Sequence, residues 1–388
     1  MSEPDVSKKA TPRHGPPIPS EGWMRIVGFL IFFLVFFSAI FLFELYALTR
    51  LFAYLSLDHG WLFLAFVALS SLSFIIAMGL RTTTSSFVTK GYYYATAAWL
   101  GFLIYLLFAS FVYDVLNRFV SFPDWVRLYV LIGGTVFAVA LSLAIPYVIK
   151  RRFVEVPAKR LKTDVKIVHL TDIHVGATHG PEHLKELVGI ANEMQPDLVL
   201  ITGDLADSPL DWSENPFSVL DELKAPAYFT IGNHEYYAGI EEVTGLLAKT
   251  KVRVLRNEVA QANGVQILGL DYGNAKDLGK ILPTLAYDRS KYTILMYHNP
   301  DGLEVSHEGG IDLILSGHTH GGQFFPFTVF GRLIWKTFHG LYEHEGTYHW
   351  VSSGAGTWGP PMRMGTRSEV TLLRLKSDGD ARPASKIL

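Results

Sequence analysis

The sequence predicts an N-terminal domain of four transmembrane helices followed by an α/β domain, in which a mixed sheet, or two facing sheets, carries helices outside. Three observations lead there. Residues 25–149 contain only ten charged side chains: Arg25, Glu44, Arg50, Asp58, Arg81, Lys90, Asp114, Arg118, Asp124 and Arg127. Beyond residue 165, short apolar runs alternate with helical periodicity. Of the 14 histidines, 12 follow position 168, as expected if one half dissolves in lipid and the other holds polar chemistry.

Residues 1–22 are polar and rich in proline and read as a disordered tail. A membrane domain, 23–149, follows. Its apolar runs, 26–48, 61–80, 92–113 and 128–149, each have at least the ~20 residues that cross ~30 Å of hydrocarbon. Four such runs in succession, joined by short loops, are poorly explained as buried core helices. Glu44 is the one charge inside them, and its place near a helix end suggests an interfacial residue more than a functional intramembrane carboxylate.

Basic residues set the expected orientation. With the tail inside, the inner segments hold Lys8, Lys9, Arg13, Arg25, Arg81, Lys90, Lys150, Arg151, Arg152, Lys159, Arg160 and Lys162. The outer loops hold Arg50, Arg118 and Arg127. Twelve against three places both termini on the cytoplasmic side of an inner or plasma membrane. Residues 150–164 read as a basic linker, and 165–388 as the second domain.

In that domain 165–171 is a short apolar strand, and Pro181 opens a helix with Leu184, Leu187, Val188 and Ala191 on one face. Further strands are expected at 197–202, 227–231, 265–270, 292–297, 311–316, 348–352 and 370–375. Five of these runs end in polar residues that carry chemistry. They deliver Asp172-Ile173-His174, Gly203-Asp204-Leu205-Ala206-Asp207, Gly232-Asn233-His234-Glu235, His298, and Gly317-His318-Thr319-His320-Gly321-Gly322-Gln323. The carboxyl ends of strands are where open α/β sheets bind ligands.

Oxygen and imidazole donors without sulfur suit Mn²⁺, Fe or Zn²⁺ better than a Ca²⁺ cage. Residues i and i+2 of an extended segment point the same way, so Asp172 with His174, and His318 with His320, can converge. Each motif alone is weak, since a lone histidine at a strand end is usually a hydrogen-bonded structural residue. The ordered set is specific. With no cysteine in the chain, disulfides, iron–sulfur clusters, thiolate zinc sites and a cysteine nucleophile are excluded. The net charge of −2 gives no nucleic-acid footprint, and no nucleic-acid partner is expected.

These pieces, with Tyr297-His298-Asn299-Pro300, resemble the calcineurin-like metallophosphoesterase superfamily over about residues 165–375, most of all the branch in which the domain follows transmembrane helices. The resemblance implies a four-layer fold, two mixed β-sheets sandwiched by helices. It implies one metal on Asp172, His174, Asp204 and His320, and a second on Asp204, Asn233, His298 and His318. Two divalent or trivalent ions (Mn, Fe or Zn) with a bridging hydroxide as nucleophile are then expected, and His234 as the catalytic proton or hydrogen-bond donor. The expected activity is hydrolysis of a phosphate ester or phosphoanhydride, with a lipid-linked substrate the candidate that a membrane anchor suggests. The alternative is a non-catalytic, metal-bound membrane scaffold or signalling module, which would have no use for His234.

Other residues keep two readings. Asp207 and Glu235 either orient histidines or serve as loop and cap residues. His179 reads as a surface loop residue and His169 as a satisfied core residue, while His339, His344 and His349 suit surface or packing roles. Arg363 and Arg367 either meet phosphate or are solvated.

Overall fold

The computed structural model describes residues 20–83, 86–176, 178–207, 214–273 and 278–377. Residues 1–19 of the expected tail lie outside them, and the first helix already begins at Ser20. Helices α1 (Ser20–Tyr54), α2 (Trp61–Thr83) and α3 (Phe87–Leu116) are the three long and apolar enough to cross a membrane among the described residues. The fourth expected run, 128–149, departs from the expectation of a full span. It divides into α4 (Asp124–Val126), a π-helical stretch Arg127–Gly133, α5 (Gly134–Ala144) and a 3₁₀ turn Ile145–Tyr147. Its apolar helical part, Leu131–Tyr147, is shorter than the other three. The adjacent Gly133 and Gly134 weaken helical register where the π stretch ends, and Pro146 cannot donate a backbone bond.

The three long helices pack through Ala47, Leu48, Phe63, Val67, Leu103 and Leu106. Glu44 does not face the outside of the helix bundle. It is buried between α1 and α2, where it accepts hydrogen bonds from Ser70 Oγ at 3.1 Å and from Ser71 Oγ. A carboxylate within an apolar bundle needs such donors, and both serines lie in the interior of α2, where sequence spacing alone does not align them with Glu44.

Among the described residues the α/β domain contains two six-stranded sheets. The first comprises β1 (Lys150–Pro157), β2 (Val165–Leu170), β3 (Leu198–Thr202), β4 (Ala227–Thr230), β5 (Arg253–Leu255) and, out of sequence, the last strand. The second comprises β6 (Glu258–Ala262), β7 (Val265–Gly269), β8 (Thr293–Met296), β9 (Leu313–Ser316), β10 (Gly340–His344) and β11 (Thr347–Val351). Strand β12 (Glu369–Lys376) completes the first sheet, in the order β1-β12-β2-β3-β4-β5; the second runs β10-β11-β9-β8-β7-β6. Both are mixed: β2 to β5 are mutually parallel and β12 runs against β2, while β7, β8, β9 and β11 are parallel between antiparallel edges β6 and β10.

Alternation assigns the layers. Ile167, Leu198 and Leu200 of one sheet meet Ile267, Ile294, Met296 and Leu315 of the other. The opposite faces, Val168, Val199, Ile201 and Phe229, pack under α6 (Pro181–Glu193) through its stripe Leu184, Leu187, Val188 and Ala191. Leu268, Leu295 and Ile314 carry the helix Leu303–Gly309 on the far side. Strands buried on both faces read as continuous apolar runs, which made β3, β8 and β9 legible.

Residues 150–164 are not simply a linker. Lys150–Pro157 is an edge strand paired in parallel with β12, burying Val154 and Val156 while Lys150 and Arg151 are exposed. Charge on an edge strand is the usual guard against unwanted pairing, and it disguised this one. Arg152 Nε is 2.8 Å from Glu369 Oε2, which fixes the pairing.

Candidate metal centre

Strands β2, β3, β4, β8 and β9 bring their carboxyl ends to one edge of the sandwich. Asp172 and His174 follow β2, Asp204 and Asp207 follow β3, and Asn233 and His234 open helix α7 (Asn233–Ala238) after β4. His298 follows β8, and His318 and His320 follow β9. Most of this set is held in the left-handed region: φ is 52° at Asp172, 54° at His174, 54° at Asp204, 68° at His318 and 50° at His320. A non-glycine residue there is uncommon and costs on the order of 1–3 kcal/mol, so its surroundings must enforce it. They do so by backbone bonds: His174 N to Asp204 O at 3.0 Å, Asp172 N to Gly203 O at 3.2 Å and Gly356 N to Asp172 O at 2.7 Å.

Two glycines allow the loops to approach. A Cβ at Gly317 would lie 2.0 Å from Asp172 Oδ2, and one at Gly232 would lie 2.2 Å from Asp204 Oδ1.

The donor atoms form three overlapping groups, each within 4.8 Å: Asp172, His174 and His320; Asp204, His298 and His318; and His174, Asp207 and His234. His320 Nε2 stands 3.1 Å from His174 Nε2 and 3.3 Å from Asp172 Oδ1. Asp204 Oδ2 is 3.1 Å from His298 Nε2 and 3.9 Å from His174 Nε2, so this carboxylate lies between the first two groups. Asn233 Oδ1 lies 2.9 Å from His318 Nδ1. The carbonyl of Thr202 can only accept, so His298 Nδ1 donates to it at 2.7 Å and Nε2 is turned to the cluster. Burial opposes charge on His298, yet Asp204 and Asp172 outweigh it and lift its pKa to about 10. Burial likewise opposes ionisation of Asp204, but His298 and His234 hold it well below the usual carboxylate range. A pocket that favours positive charge among carboxylate, imidazole and amide donors is chemically suited to cations.

His234 donates its backbone N–H to Asp204 Oδ1 at 2.9 Å, and its Nδ1 is 3.3 Å from Asp207 Oδ1. Burial disfavours its charge, but Asp204 and Asp207 raise its pKa to about 9. Asp207 also lies 3.5 Å from His174 Nδ1, and so sits beside two histidines at once. Glu235 takes the other of its two readings. Wholly buried, it accepts the backbone N–H groups of Asp204, Leu205, Ala206 and Gly232 at 2.8–3.1 Å.

Other expectations are corrected or resolved. His179 is buried, not on the surface, with Nε2 2.8 Å from Thr357 Oγ1 and its ring against His183. Arg363 is neither solvated nor set among the donor atoms. It is fully buried and donates to the carbonyls of His320, Ser353, Gly354 and Gly356. Burial pulls its pKa down to about 10. Arg367 is exposed. His169 bonds Thr202 Oγ1 at 2.7 Å and His349 bonds Ser316 Oγ at 2.9 Å, both in the core. Sequence reasoning missed the aromatic rim. Tyr272 lies 5.9 Å from the His318 ring, Trp335 5.4 Å from it, and Tyr237 and Trp358 flank His234. Tyr272 follows β7 at the same sheet edge, so the strand-end rule could have found it.

Residues 165–322 match the family described as calcineurin-like phosphoesterase. Over 234 residues the chain is 33% identical to an uncharacterized metallophosphoesterase of Aquifex aeolicus, covering 56% of this chain and 87% of that one. It is 32% identical over 316 residues to a Danio rerio transmembrane protein with metallophosphoesterase domain, covering 71% and 72%. An uncharacterized metallophosphoesterase of Campylobacter jejuni is 40% identical over 232 residues, covering 58% of this chain; the chain spans 62% of that relative's length. Three apolar helices and a relative of the transmembrane kind mark a membrane protein. On sequence likeness that covers most of the Aquifex and Danio proteins, the chain belongs to the calcineurin-like metallophosphoesterase family.

Proposed function

We propose that the protein is a membrane-embedded, metal-dependent hydrolase of a phosphate ester or phosphoanhydride with a dinuclear centre. The observation that carries this is the convergence of Asp172, His174, Asp204, His298, His318 and His320 at one sheet edge. Asp172, His174, Asp204 and His320 would hold one cation, and Asp204, Asn233, His298 and His318 the other, with Asp204 shared. Bound there, two cations such as Mn, Fe or Zn would neutralise phosphoryl oxygens and lower the pKa of water.

The remaining work falls to the protein. Asn233 brings an oxygen without charge, which leaves the centre more positive and favours an anionic substrate. His234, kept protonated by Asp204 and Asp207, donates to the phosphate or to the leaving oxygen. Asp207 fixes the ring orientations of His174 and His234. The catalytic domain faces the cytoplasm, by the distribution of basic residues. A lipid-linked substrate fits an active site attached to membrane helices.

The test compares two variants in detergent with Mn²⁺ and a chromogenic phosphate ester. Asp204→Asn loses metal by elemental analysis and loses hydrolysis. His234→Ala keeps its metal and turns over ~10²–10⁴ more slowly. A fully active Asp204→Asn protein would sink the dinuclear reading.

A further inference from the structure

Beside the metal-ligand loop, the catalytic domain leaves a helix whose outer face is apolar. Phe327–Ile334 presents Phe327, Val329, Phe330, Leu333 and Ile334 to the outside, with Leu333 82% and Ile334 75% exposed. Its inner face is packed: a Cβ at Gly331 would lie 2.2 Å from the Phe338 ring. The segment just before it rests on the membrane domain. Phe325 meets Phe108 with ring centroids 4.6 Å apart, and Phe324 meets Tyr105 at 5.8 Å. Met362 lies against Gly101, and Arg363 N donates to Ser142 O of α5 at 2.8 Å.

The contacted part of α3 lies deep. At 1.5 Å per residue α3 is ~45 Å long, and Tyr105 stands ~27 Å from its first residue and ~16 Å from its last. A hydrocarbon core of ~30 Å therefore includes Tyr105 in most placements of the helix. The loop that packs on it reaches hydrocarbon depth, and the apolar helix continues from that loop.

We propose that Phe327–Ile334 is inserted in the bilayer, with its outer apolar face against acyl chains and the exposed Arg332 and Lys336 at the level of anionic headgroups. Lipid is the occupant because the exposed face is continuous with the contact on α3. The helix is also joined to the metal centre. A Cβ at Gly322 would lie 2.4 Å from Phe327 O, and Trp335 stands edge-on to the His318 ring at 5.4 Å. The centre then opens at the membrane surface and takes an amphiphile whose phosphate lies among the headgroups. This last step rests on the hydrolase reading, whereas insertion of the helix does not.

The chain has no cysteine, so single sites can be labelled in the full-length protein. Leu333→Cys and, at the opposite end of the strands, Ser290→Cys carry an environment-sensitive fluorophore in vesicles of phosphatidylethanolamine and phosphatidylglycerol. Nitroxide on the lipid acyl chains should quench the label at 333 several-fold more than aqueous iodide does, with the reverse at 290. Iodide quenching at both sites overturns insertion. So does energy transfer between labelled copies at 333 that ignores lipid nitroxide, which would make the face a contact between two chains. The double variant Leu333→Glu, Ile334→Glu should raise KM for a vesicle-borne phosphate amphiphile about tenfold and leave hydrolysis of a soluble ester unchanged. Equal effects on both substrates overturn the access route. Lipid quenching without hydrolysis of either substrate by the unsubstituted protein would refute the hydrolase reading and leave the inserted helix standing.

Discussion

The carboxylate of Glu235 and the backbone of Asp204 are joined directly: Oε2 of Glu235 accepts the Asp204 N–H at 2.9 Å. Three further N–H groups, of Leu205, Ala206 and Gly232, end on the same carboxylate, which lies wholly inside the protein. One side chain thus shapes both the turn that carries Asp204 and the turn that opens α7. Glu235→Ala leaves four buried donors unsatisfied, at about 1–3 kcal/mol each before relaxation. A stability loss of at least about 3 kcal/mol is expected, read as a lowered melting temperature, with a fall in bound metal. Glu235→Gln, of similar size, should fall between the two. Unchanged melting in Glu235→Ala would show that the turns hold themselves.

Gly317 tests how tightly the Asp172 loop is built. Because an added Cβ would meet Asp172 Oδ2 at 2.0 Å, Gly317→Ala must displace the carboxylate or its strand end. Overpacking of this kind costs typically ~1–3 kcal/mol. Metal occupancy measured by elemental analysis should drop further than the melting temperature suggests. Full occupancy in the variant would mean that the loop has slack.

Acid stability is expected to depend on Glu369. Burial opposes its ionisation, but His339, Arg152 and Ser352 outweigh burial and bring its pKa down to about 2. Relative to the ordinary value of 4.5, a lowered carboxylate pKa favours the fold above the unfolded-state value, and the gain is lost as pH falls toward the folded one. About 3 kcal/mol should therefore disappear between roughly pH 4.5 and pH 2. Melting curves over that interval should fall less steeply for Glu369→Gln, which starts lower at neutral pH. Parallel curves for the two proteins would remove Glu369 from the account.

Orientation can be read with an impermeant maleimide on intact cells. Cysteine at Asp58, in the loop between α1 and α2, should react at once. Cysteine at Ser290, in the catalytic domain, should react only after permeabilisation. The opposite pattern would put the catalytic domain on the outer face.

The strand ends were legible because their runs are buried on both faces, so an apolar stretch followed by Asp or His stands out without any partner being known. Asp207 and Glu235 were not separable from sequence. Asp207 stands three residues from Asp204 and Glu235 next to His234, so both could reach the cluster, and only the path of the backbone sends one to imidazoles and the other to amides. His179 and Arg363 illustrate the same limit. Polar residues in glycine-rich loops look solvated until a second loop closes over them. The serine donors of Glu44 were not legible because donors on another helix cannot be assigned from the spacing within its own. Strand β1 was hidden by its charge, since an edge strand rich in basic residues and a solvated linker have nearly the same composition.

That strand starts very soon after the membrane helices stop. Only Val148 and Ile149 separate Tyr147 from Lys150, and Ile149 is itself packed on the outer core of the first sheet. Two residues reach at most ~7 Å even when extended, which is too short for a hinge. The catalytic sheet therefore works as a fixed gauge, with the distance from bilayer to metal ligands set by the chain itself. An enzyme on a flexible stalk could sample phosphates at many heights. On the amphiphile reading proposed above, one built this way would distinguish them by depth, and bilayer thickness and headgroup length would become terms in its selectivity.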